Sequence, residues 1–472
     1  MKRTKIIATV WPVTESEERL VELYNAWVNI IRFNFSHANY DVTTQIANRV
    51  KKLNAEWKTN LSLLLDTKGP EIRTWDVKEK LNFQAWDLVK VYVNKDLCDD
   101  NSIFCDYPYL LEDLDLGDTL IIDSGLCNVV VKEKFENYLV WEILNNCVIW
   151  NRRHINLPGV KLKLPWITEK DKQDVMYAIE NNFDFIAMSF VRNKENIQEL
   201  RDFLKAHNAE HIKIISKVEN QEAVENLDEI VKFSDWVMAA RWDLGIEVPV
   251  ETLPFYQKEI VEKCRKEWKF FVIATHMLET MIESPFPTRA EVSDIYNAVM
   301  QQTDCTMLSW ETTIWKYPIE SVKMMSKIIV EAEKNTKYEH TDYSDDGLND
   351  RDIEKKLLIK HGMSVAESLD AKWMIVLTKT GLLARLAAAF RPRVKVYAFT
   401  HAGSSYRFMN VLFGIKAFLL DNWGANHGEN LALALQTLKD KWIVKTWDKL
   451  VAITDIRKND KNLPVMEIVT ID

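Results

Sequence analysis

Glycine is scarce in this chain. There are 12 glycines among 472 residues, about 2.5%, whereas soluble proteins average about 7%. The apolar and charged fractions, 47% and 28%, are nevertheless those of a soluble globular protein. Tryptophan is in excess, with 17 residues, and the two types together make up about 6% of the chain, close to a normal glycine share. Tryptophan therefore stands where glycine is expected.

Long apolar runs and blocks of like charge are also absent. No run approaches the roughly 18 residues of a membrane span, and "MKRTKIIATV" lacks the apolar core of a signal peptide. The net charge is -9, and no block of five or more like charges favours nucleic acid or an anionic membrane as a partner. We therefore expect a cytoplasmic protein that binds neither nucleic acid nor membranes.

Paired cysteine motifs are missing as well. The six cysteines show no CxxC pair and no His-rich metal spacing. They are Cys98, Cys105, Cys127, Cys147, Cys264 and Cys305. We predict that all of them are reduced and structural.

Eight short apolar runs of strand character alternate with segments of helical period. The runs begin near Ile6, Ile30, Leu61, Asp184, Ile212, Trp236, Phe270 and Asp304. Because a (β/α)8 TIM barrel needs eight such alternations, we predict an α/β fold of this type. A doubly wound open sheet is the alternative, since alternation alone does not show closure. Helix starts are predicted at three capping boxes, Thr14 with Glu17, Thr168 with Asp171, and Thr288 with Glu291.

An insertion interrupts the barrel pattern after the third strand. Successive strands start 24 to 34 residues apart, but 123 residues separate Leu61 from Asp184, which leaves about 90 inserted residues. Segments such as "DLVKVYV", "DTLIID" and "CNVVVKE" indicate an all-β insert, which could serve as a lid. A polar linker begins near Thr336. The predicted domains are a barrel of residues 1–69 and 157–338, a lid of residues 70–156, and a C-terminal α/β domain of residues 339–472.

Polar residues follow five of the barrel strands, at the end where barrel enzymes carry their chemistry. They are Arg32, Asn34 and Ser36 after the second strand, Asp66 and Thr67 after the third, Lys217 and Glu219 after the fifth, Asp243 after the sixth, and Thr275 after the seventh. Carboxylates such as Glu219 and Asp243 suit a hard divalent ion, and Lys217 and Arg32 suit a phosphoryl group. Singly, Lys217 with Glu219 could form a structural ion pair. Together the residues predict metal-assisted chemistry on a small anion, with phosphoryl transfer one option among several.

Six motifs follow one another in a specific order. They are "RFNFSH" (32–37), "LLLDTKGPEIRT" (63–74), "IISKVENQEAVENLDEI" (214–230), "AARWDLGIEVP" (239–249), "IATHMLETMIESPFPTRAEVSDIYNAV" (273–299) and "MLSWETTIWKYPIE" (307–320). In these motifs the chain resembles the pyruvate kinase family, over its whole length but most weakly in the insert and the last hundred residues. The resemblance implies transfer of the phosphoryl group of phosphoenolpyruvate to ADP, giving pyruvate and ATP, the last step of glycolysis.

The resemblance also implies roles for the strand-end residues. Glu219 and Asp243 would ligate Mg²⁺ or Mn²⁺, Lys217 would stabilise the phosphoryl group in transfer, and Arg32 would bind phosphate oxygens. The substrate would contact Arg32, Lys217, Asp243, Thr275 and the backbone N–H of Trp242, with Thr275 near the enolate face that is protonated.

A monovalent-cation site and a nucleotide side are implied in the same way. Asn34, Ser36, Asp66 and the backbone carbonyl of Thr67 resemble a K⁺ site, and Glu71 resembles members that require K⁺. Arg32, His37 and Arg73 would face the nucleotide. The insert would close over it and exclude water, the C-terminal domain would serve effector binding and assembly, and a homotetramer is implied.

The sequence departs from the family where glycine is expected. The family pattern has glycine at Trp11, Trp27, Trp57, Trp75, Trp86, Trp236, Trp242, Trp268, Trp310, Trp315, Trp442 and Trp447. We hypothesise that these positions are glycine in the organism, which would follow if UGA codons that it reads as glycine were translated as tryptophan. The motifs do not show whether the other five tryptophans are genuine or are further glycine positions. They are Trp141, Trp150, Trp166, Trp373 and Trp423.

Two alternatives stay open at the level of sequence. A genuinely tryptophan-rich chain could be a pseudoenzyme that keeps the barrel and acts as a scaffold, although intact Lys217, Glu219, Asp243 and Arg32 argue against decay. A metal-dependent lyase or aldolase acting on an enolpyruvate-type substrate could use a similar barrel, although the inserted domain and "DTKGPEIRT" disfavour it.

Overall fold

The chain forms a barrel, an inserted β domain and a C-terminal α/β domain. The computed structural model describes residues 2–74, 80–99, 102–150, 152–165, 167–314, 316–338, 343–345, 348–424, 426–458 and 461–471. The barrel begins with β1 (Lys5–Thr9), α1 (Glu17–Asn25), β2 (Ile30–Asn34), α2 (Tyr40–Ala55) and β3 (Ser62–Asp66). Every residue of β1 and β3 is buried, as expected of parallel strands that are covered on both faces.

The insert after β3 consists mainly of short strands. They are β4 (Ile72–Arg73), β5 (Leu81–Phe83), β6 (Leu88–Tyr92), β7 (Ile103–Phe104), then the four-residue helix α3 (Leu110–Asp113), and β8 (Thr119–Ile122), β9 (Cys127–Lys134), β10 (Tyr138–Ile143), β11 (Cys147–Ile149) and β12 (His154–Asn156). Seven strands form one sheet in the order β4-β12-β8-β9-β10-β6-β7, and β11 pairs with β5. The insert has its own core, which includes fully buried Trp141.

The chain then returns to the barrel. The elements are α4 (Glu169–Glu180), β13 (Phe185–Met188), α5 (Lys194–Ala206), β14 (Lys213–Val218), α6 (Gln221–Glu225), α7 (Leu227–Phe233), β15 (Trp236–Ala240), α8 (Arg241–Glu247), α9 (Leu253–Lys266), β16 (Phe270–Ala274), α10 (Arg289–Met300), β17 (Cys305–Leu308) and α11 (Pro318–Asn335). Short 3₁₀ helices lie at Pro12–Thr14, Lys95–Leu97, Val250–Thr252, Glu279–Ile282 and Trp310–Thr312.

The eight parallel strands close into a barrel in the order β1-β17-β16-β15-β14-β13-β3-β2. Closure occurs where β1 pairs with both β2 and β17. The TIM-barrel prediction is therefore confirmed and the open-sheet alternative is wrong. Each strand starts within one residue of its predicted position, because runs of buried apolar residues mark both faces of a barrel strand.

Two of the three predicted helix caps are confirmed. Thr168 with Asp171 and Thr288 with Glu291 form capping boxes at the starts of α4 and α10. The prediction at Thr14 is wrong, because Ser16 caps α1 and its hydroxyl accepts the N–H of Arg19. Thr14 is instead buried, and its hydroxyl donates to the carbonyl of Thr312 across the barrel closure.

The C-terminal domain is a five-stranded sheet with helices. Its elements are α12 (Asp350–Ser368), β18 (Trp373–Leu377), α13 (Leu382–Ala389), β19 (Lys395–Thr400), α14 (Gly403–Asn410), β20 (Ile415–Leu419), α15 (His427–Asp440), β21 (Lys449–Lys458) and β22 (Lys461–Thr470). The strand order is β20-β19-β18-β21-β22, and only β22 runs antiparallel to its neighbour. The domain packs against the amino-terminal end of the barrel, where Lys5 donates to the carbonyl of Ile415 and Arg391 pairs with Asp304. The opposite end is left for the site.

The barrel interior is filled by side chains. Trp236 lies inside it, with ring centroids 5.5 Å from Phe185 and 5.0 Å from Phe270. This apolar core continues into that of the C-terminal domain through residues such as Phe390 and Phe413. Across the described residues, no helix is both long and apolar enough to cross a membrane.

The prediction that all six cysteines are reduced is wrong for two of them. Cys127 and Cys147 form a disulfide within the insert, with their Cα atoms 5.3 Å apart. They lie on β9 and β11, which belong to different sheets. Twenty residues separate the two cysteines, so only the tertiary structure brings them together.

Candidate active site at the carboxyl ends of the barrel strands

A buried network of charges joins three barrel strands. Arg32 on β2 donates its Nε to Asp66 at 2.7 Å, and Lys217 on β14 lies 3.2 Å from the same carboxylate. Lys217 also lies 2.8 Å from Glu219, immediately after β14. Asp66 and Glu219 are each 1% exposed, so the network is sealed from bulk water.

Strand geometry explains why these residues meet. Side chains two positions apart point to the same side of a strand, as Lys217 and Glu219 do. The parallel register of β2 and β3 places Asn34 beside Asp66. Parallel strands deliver all of these residues to one end of the barrel, as predicted from the sequence.

The network also contains residues that the sequence reasoning missed. Lys217 donates to the hydroxyl of Ser189 at 2.8 Å, and that hydroxyl donates to the carbonyl of Thr67 at 2.6 Å. The N–H of Phe190 donates to Glu219 at 2.7 Å. Ser189 and Phe190 directly follow β13, the fourth barrel strand, whose end was not considered. The strand-end rule would have found them if it had been applied to all eight strands.

Asp243 stands at the start of α8, beside this network. Burial, together with the charge of Glu219, raises the pKa of Asp243 to about 7. Burial also raises the pKa of Glu219. Burial would lower the pKa of Lys217, but the charges of Asp66, Glu219 and Asp243 outweigh it and raise that pKa above the ordinary lysine value. The site thus places two carboxyl groups of raised pKa, Glu219 and Asp243, and one of lowered pKa, Asp66, around a firmly charged lysine.

A cavity of about 580 Å³ opens beside the network. Of the residues predicted from the sequence, it is lined by Arg32, Asn34, His37, Trp242, Asp243 and Thr275. Trp11 and Trp310 also line it, as does His276, which was left out of the predicted mechanism. The ring of Trp242 stacks on His276 with centroids 4.6 Å apart, and its Nε1 donates to Ser124 of the insert at 3.3 Å. Three tryptophans, Trp11, Trp242 and Trp310, therefore contribute to the cavity wall.

Six predicted residues do not line this cavity, namely Ser36, Asp66, Thr67, Arg73, Lys217 and Glu219. Ser36 donates its N–H to Asn34, and the carbonyl of Thr67 accepts the Ser189 hydroxyl. Arg73, on β4 of the insert, binds Glu71 through its Nε at 2.8 Å. Asp66, Lys217 and Glu219 are bound to one another in the buried network beside the cavity.

Family comparisons agree with this architecture. The pyruvate kinase barrel domain matches residues 1–322, and the pyruvate kinase alpha/beta domain matches residues 357–469.

The chain belongs to the pyruvate kinase family.

Individual pyruvate kinases are similar over nearly the whole chain. The pyruvate kinase of Borreliella burgdorferi is 36% identical over 473 residues, which cover 100% of this chain and 98% of that protein. That of Staphylococcus epidermidis is 38% identical over 424 residues, 88% of this chain and 71% of that protein. The crystal structure of a pyruvate kinase from Cryptosporidium parvum has a TM-score of 0.90 and 31% identity, covering 100% of this chain and 96% of that one.

Membership of the pyruvate kinase family identifies the chain as a phosphotransferase. Neither the scaffold nor the lyase or aldolase alternative is favoured by these matches, since pyruvate kinases match both the barrel and the C-terminal domain. The described part of the chain holds no group of three or more His, Cys, Asp or Glu side chains that could hold a metal ion.

Proposed function

We propose that this protein transfers the phosphoryl group of phosphoenolpyruvate to ADP, giving pyruvate and ATP. The observation that carries the proposal is the buried Arg32, Asp66, Lys217 and Glu219 network beside a cavity large enough for a small anionic substrate. In the reaction the phosphorus–oxygen bond of phosphoenolpyruvate breaks and a β-phosphate oxygen of ADP bonds to phosphorus. The enolate that is left takes a proton at its methylene carbon.

Glu219 and Asp243 suit a divalent cation. Both carboxyl groups have a pKa raised by burial, so a cation would favour their ionised forms. Two carboxylates with open positions are the protein contribution that Mg²⁺ commonly accepts, because it keeps waters and substrate phosphate oxygens as its other ligands. Bound there, Mg²⁺ or Mn²⁺ would supply charge neutralisation at the phosphoryl oxygens.

Lys217 and Arg32 would stabilise the phosphoryl group. Both cations are held by Asp66 rather than by solvent, so they are already oriented before the substrate arrives. Because these charges are already oriented, they need not reorganise during phosphoryl transfer, and this lowers the activation free energy. Arg32 lines the cavity directly and would hold phosphate oxygens.

A monovalent cation is proposed at the edge of the same network. Asn34, Ser36, Asp66 and the carbonyl of Thr67 offer the oxygen ligands that K⁺ needs. Glu71, whose carboxylate binds Arg73, resembles the residue found in pyruvate kinases that require K⁺. Arg73 and His37, together with Arg32, would face the nucleotide.

The substrate carboxylate would lie near residue 242. The N–H of Trp242 points to the Thr275 hydroxyl at 3.0 Å, so a backbone donor and a hydroxyl converge at the cavity wall. Thr275 would stand near the enolate face that is protonated. Asp243, a proposed metal ligand, is the next residue after Trp242. The substrate carboxylate and the metal ion would therefore be bound by adjacent residues.

The remaining assignments concern the whole chain. The insert of residues 70–156 would close over the nucleotide and exclude water, while residues 1–69 and 157–338 form the catalytic barrel. Residues 339–472 would serve effector binding and assembly into a homotetramer. We propose a cytoplasmic location, as expected for a glycolytic role.

The test is a coupled assay of ATP formation from phosphoenolpyruvate and ADP. We expect ATP only when Mg²⁺ or Mn²⁺ is present, with a higher rate when K⁺ replaces a larger organic cation. Omission of ADP separates the alternatives, because a lyase or aldolase would consume phosphoenolpyruvate without it. The assay is run on the chain as written and on a chain with glycine at the twelve hypothesised positions. If both fold and neither makes ATP under any of these conditions, the proposal is rejected in favour of a scaffold.

A further inference from the structure

Tryptophan occupies left-handed backbone conformations almost as often as glycine does in this chain. Six of the 11 described glycines have positive φ, and so do six of the 14 described tryptophans. The tryptophans are Trp27 (φ 82), Trp57 (φ 59), Trp86 (φ 77), Trp268 (φ 59), Trp442 (φ 54) and Trp447 (φ 71). A bulky side chain rarely adopts this conformation, because its Cβ crowds the backbone.

Four of these tryptophans stand one residue after a helix C-cap. Trp27 follows α1, Trp57 follows α2, Trp268 follows α9 and Trp442 follows α15. This is the position where helices most often end with glycine, and less often with asparagine. The same position holds Asn182 after α4 and Asn208 after α5, both with positive φ.

The other two stand in tight turns. In residues 84–87 and 445–448, the N–H of the fourth residue donates to the carbonyl of the first, at 3.2 Å and 3.0 Å. Trp86 and Trp447 are the third residues of these turns. A positive φ at the third position defines a type II turn and calls for glycine.

Burial does not compensate for most of these conformations. Trp442 and Trp447 are 90% and 80% exposed, and Trp27, Trp57 and Trp86 are exposed as well. Trp268 is the exception, since its ring packs on Tyr343 and its Nε1 donates to the carbonyl of Ser344. Two tryptophans at ordinary φ, Trp141 and Trp373, lie buried on strands, where an aromatic side chain is favoured.

We infer that positions 27, 57, 86, 268, 442 and 447 carry glycine in the protein that its own cell makes. We also infer that Trp141, Trp150, Trp373 and Trp423, which have no positive φ and stand at none of the family's glycine positions, are genuine tryptophans. The absence of a positive φ is not sufficient by itself, because Trp11, Trp236, Trp242 and Trp310 lack it too and stand at glycine positions of the family. Reading of UGA as glycine at these six positions would produce this pattern.

Stability of two matched variants tests the inference. The first replaces the five exposed left-handed residues (Trp27→Gly, Trp57→Gly, Trp86→Gly, Trp442→Gly and Trp447→Gly), and the second replaces two strand residues (Trp141→Gly and Trp373→Gly). We expect the first to raise Tm by about 5 °C or more, or to make an insoluble chain soluble, and the second to lower Tm. A first variant that is no more stable than the parent would overturn the inference.

Mass spectrometry of peptides from the source cell gives a second, independent reading. We expect glycine in the peptides that span positions 27, 57, 86, 442 and 447, and tryptophan at positions 141 and 373. Tryptophan at the first set would overturn the inference whatever the stability measurements show.

A second inference rests on a different observation, the contacts of Arg241. This side chain is 7% exposed, and its Nη1 binds both carboxylate oxygens of Asp294, at 2.8 Å and 2.7 Å. Its Nη2 donates to the carbonyl of Thr275 at 2.5 Å and to that of His276 at 3.1 Å. One guanidinium thus joins α10 to the turn that follows β16.

That turn is strained and adjoins the site. Thr275 and His276 both have positive φ, 67° and 53°, which is uncommon for residues of these types. Surrounding structure must hold such conformations in place. Arg241 holds the two carbonyls, and it also directly precedes residues 242 and 243, which line the cavity.

We propose that Arg241 and Asp294 act as a positioning pair for Thr275 and Asp243, a role that rests on the proposed kinase activity. The pair does not line the cavity, so it would act through the turn and the start of α8. A lysine could keep the charge but not the planar fork that bridges a carboxylate and two carbonyls. The substitution Arg241→Lys therefore tests geometry more than charge.

Arg391→Lys is the matched control. Arg391 is 2% exposed and binds both oxygens of Asp304, but at the opposite end of the barrel. We expect Arg241→Lys to lower kcat by about 10²-fold with little change in KM for ADP, and Arg391→Lys to leave kcat unchanged despite a similar loss of Tm. Equal kcat in the two variants would overturn the positioning role.

Failure of the proposed function would look different. In that case the parent chain itself makes no ATP, and titration with phosphoenolpyruvate and Mg²⁺ replaces the kinetic assay. The positioning role then requires Arg241→Lys, but not Arg391→Lys, to weaken binding of phosphoenolpyruvate. Equal binding by both variants would reject it.

Discussion

Lys217 keeps its charge because three carboxylates surround it. Asp66, Glu219 and Asp243 raise its pKa although the side chain is largely buried. An isolated buried lysine would shift the other way and tend to lose its proton. At the scale of the single residue, the site therefore depends on neighbours that belong to three different strand ends.

We expect Lys217→Gln to lower kcat by about 10²- to 10³-fold with a smaller effect on the KM for ADP, because a fixed cation is lost where charge moves in the transition state. Steady-state kinetics of ATP formation measure this loss. Lys213→Gln is the control, because Lys213 begins the same strand at the other end of the barrel. Similar losses in both variants would show that the effect comes from the strand and not from the site.

At the scale of elements, the connection between β3 and the insert is tightly fixed. Gly69 has a φ of 74°, and its N–H donates at 3.0 Å to Asp171, the residue that completes the cap of α4. An added Cβ at Gly69 would lie 2.8 Å from the ring of Phe190 and 2.9 Å from the Cβ of Ser189. This connection therefore touches the same segment that supplies Ser189 and Phe190 to the site.

Gly69→Ala should lower both stability and activity. The positive φ alone costs about 1–3 kcal/mol for a residue with a side chain, and the clash adds displacement of residues 189 and 190. Urea unfolding and kcat measure the two effects. Gly117→Ala is the control: its φ is 91°, but nothing lies within 4 Å of an added Cβ, so we expect the strain without the loss of kcat.

At the scale of the whole molecule, ion pairs join the barrel to the C-terminal domain. Arg391 binds both oxygens of Asp304, and both side chains are almost fully buried. Arg407 on α14 binds Asp184 at 2.7 Å, at the start of another barrel strand. These ion pairs lie at the amino-terminal end of the barrel, far from the candidate active site. We therefore expect their loss to lower stability more than activity.

Asp304→Asn should lower the free energy of unfolding by about 3–5 kcal/mol, because it leaves the Arg391 guanidinium buried without its counter-charge. Denaturant unfolding of the full chain measures the change. Glu22→Gln removes the partner of Arg19 in an exposed pair and should cost less than about 1 kcal/mol. If Asp304→Asn lowered the free energy of unfolding no more than Glu22→Gln does, this account of the ion pairs between the domains would be contradicted.

Two buried lysines at the same amino-terminal end of the barrel make stability depend on pH. Burial lowers the pKa of Lys2 to about 7 and that of Lys5 to about 8, with Glu333 and Cys305 as the facing groups that oppose the shift. Between these values and the ordinary lysine pKa the unfolded chain binds more protons than the folded one. Stability therefore rises with pH in this window.

We expect the free energy of unfolding to be larger at about pH 8.5 than at about pH 7, and Lys5→Met to reduce the difference. Urea unfolding at the two pH values measures it. Lys58→Met, at an exposed lysine that pairs with Glu56, should leave the difference unchanged. A difference that is undiminished in Lys5→Met would show that Lys5 does not contribute to the pH dependence.

Much of the fold follows from local pattern. Apolar runs such as those of β1 and β14 predicted strands because a barrel strand is covered on both faces, and the capping boxes at Thr168 and Thr288 satisfied helix N–H groups locally. Thr14 has the same local pattern but is buried under tertiary contacts, so the prediction there failed. Predictions from local sequence were correct where no contact with a distant segment competed for the same hydrogen-bonding groups.

The sequence by itself determined the eight alternations of strand and helix, the insertion after the third strand and which polar residues follow the strands, because these features depend only on local order; closure of the sheet into a barrel was decided by the pairing of β1 with β17. The tertiary structure decided the rest. It alone placed Ser189 between Lys217 and Thr67, paired Arg241 with Asp294 and joined Cys127 to Cys147. These features depend on distances between segments far apart in the chain, which residue order does not encode locally.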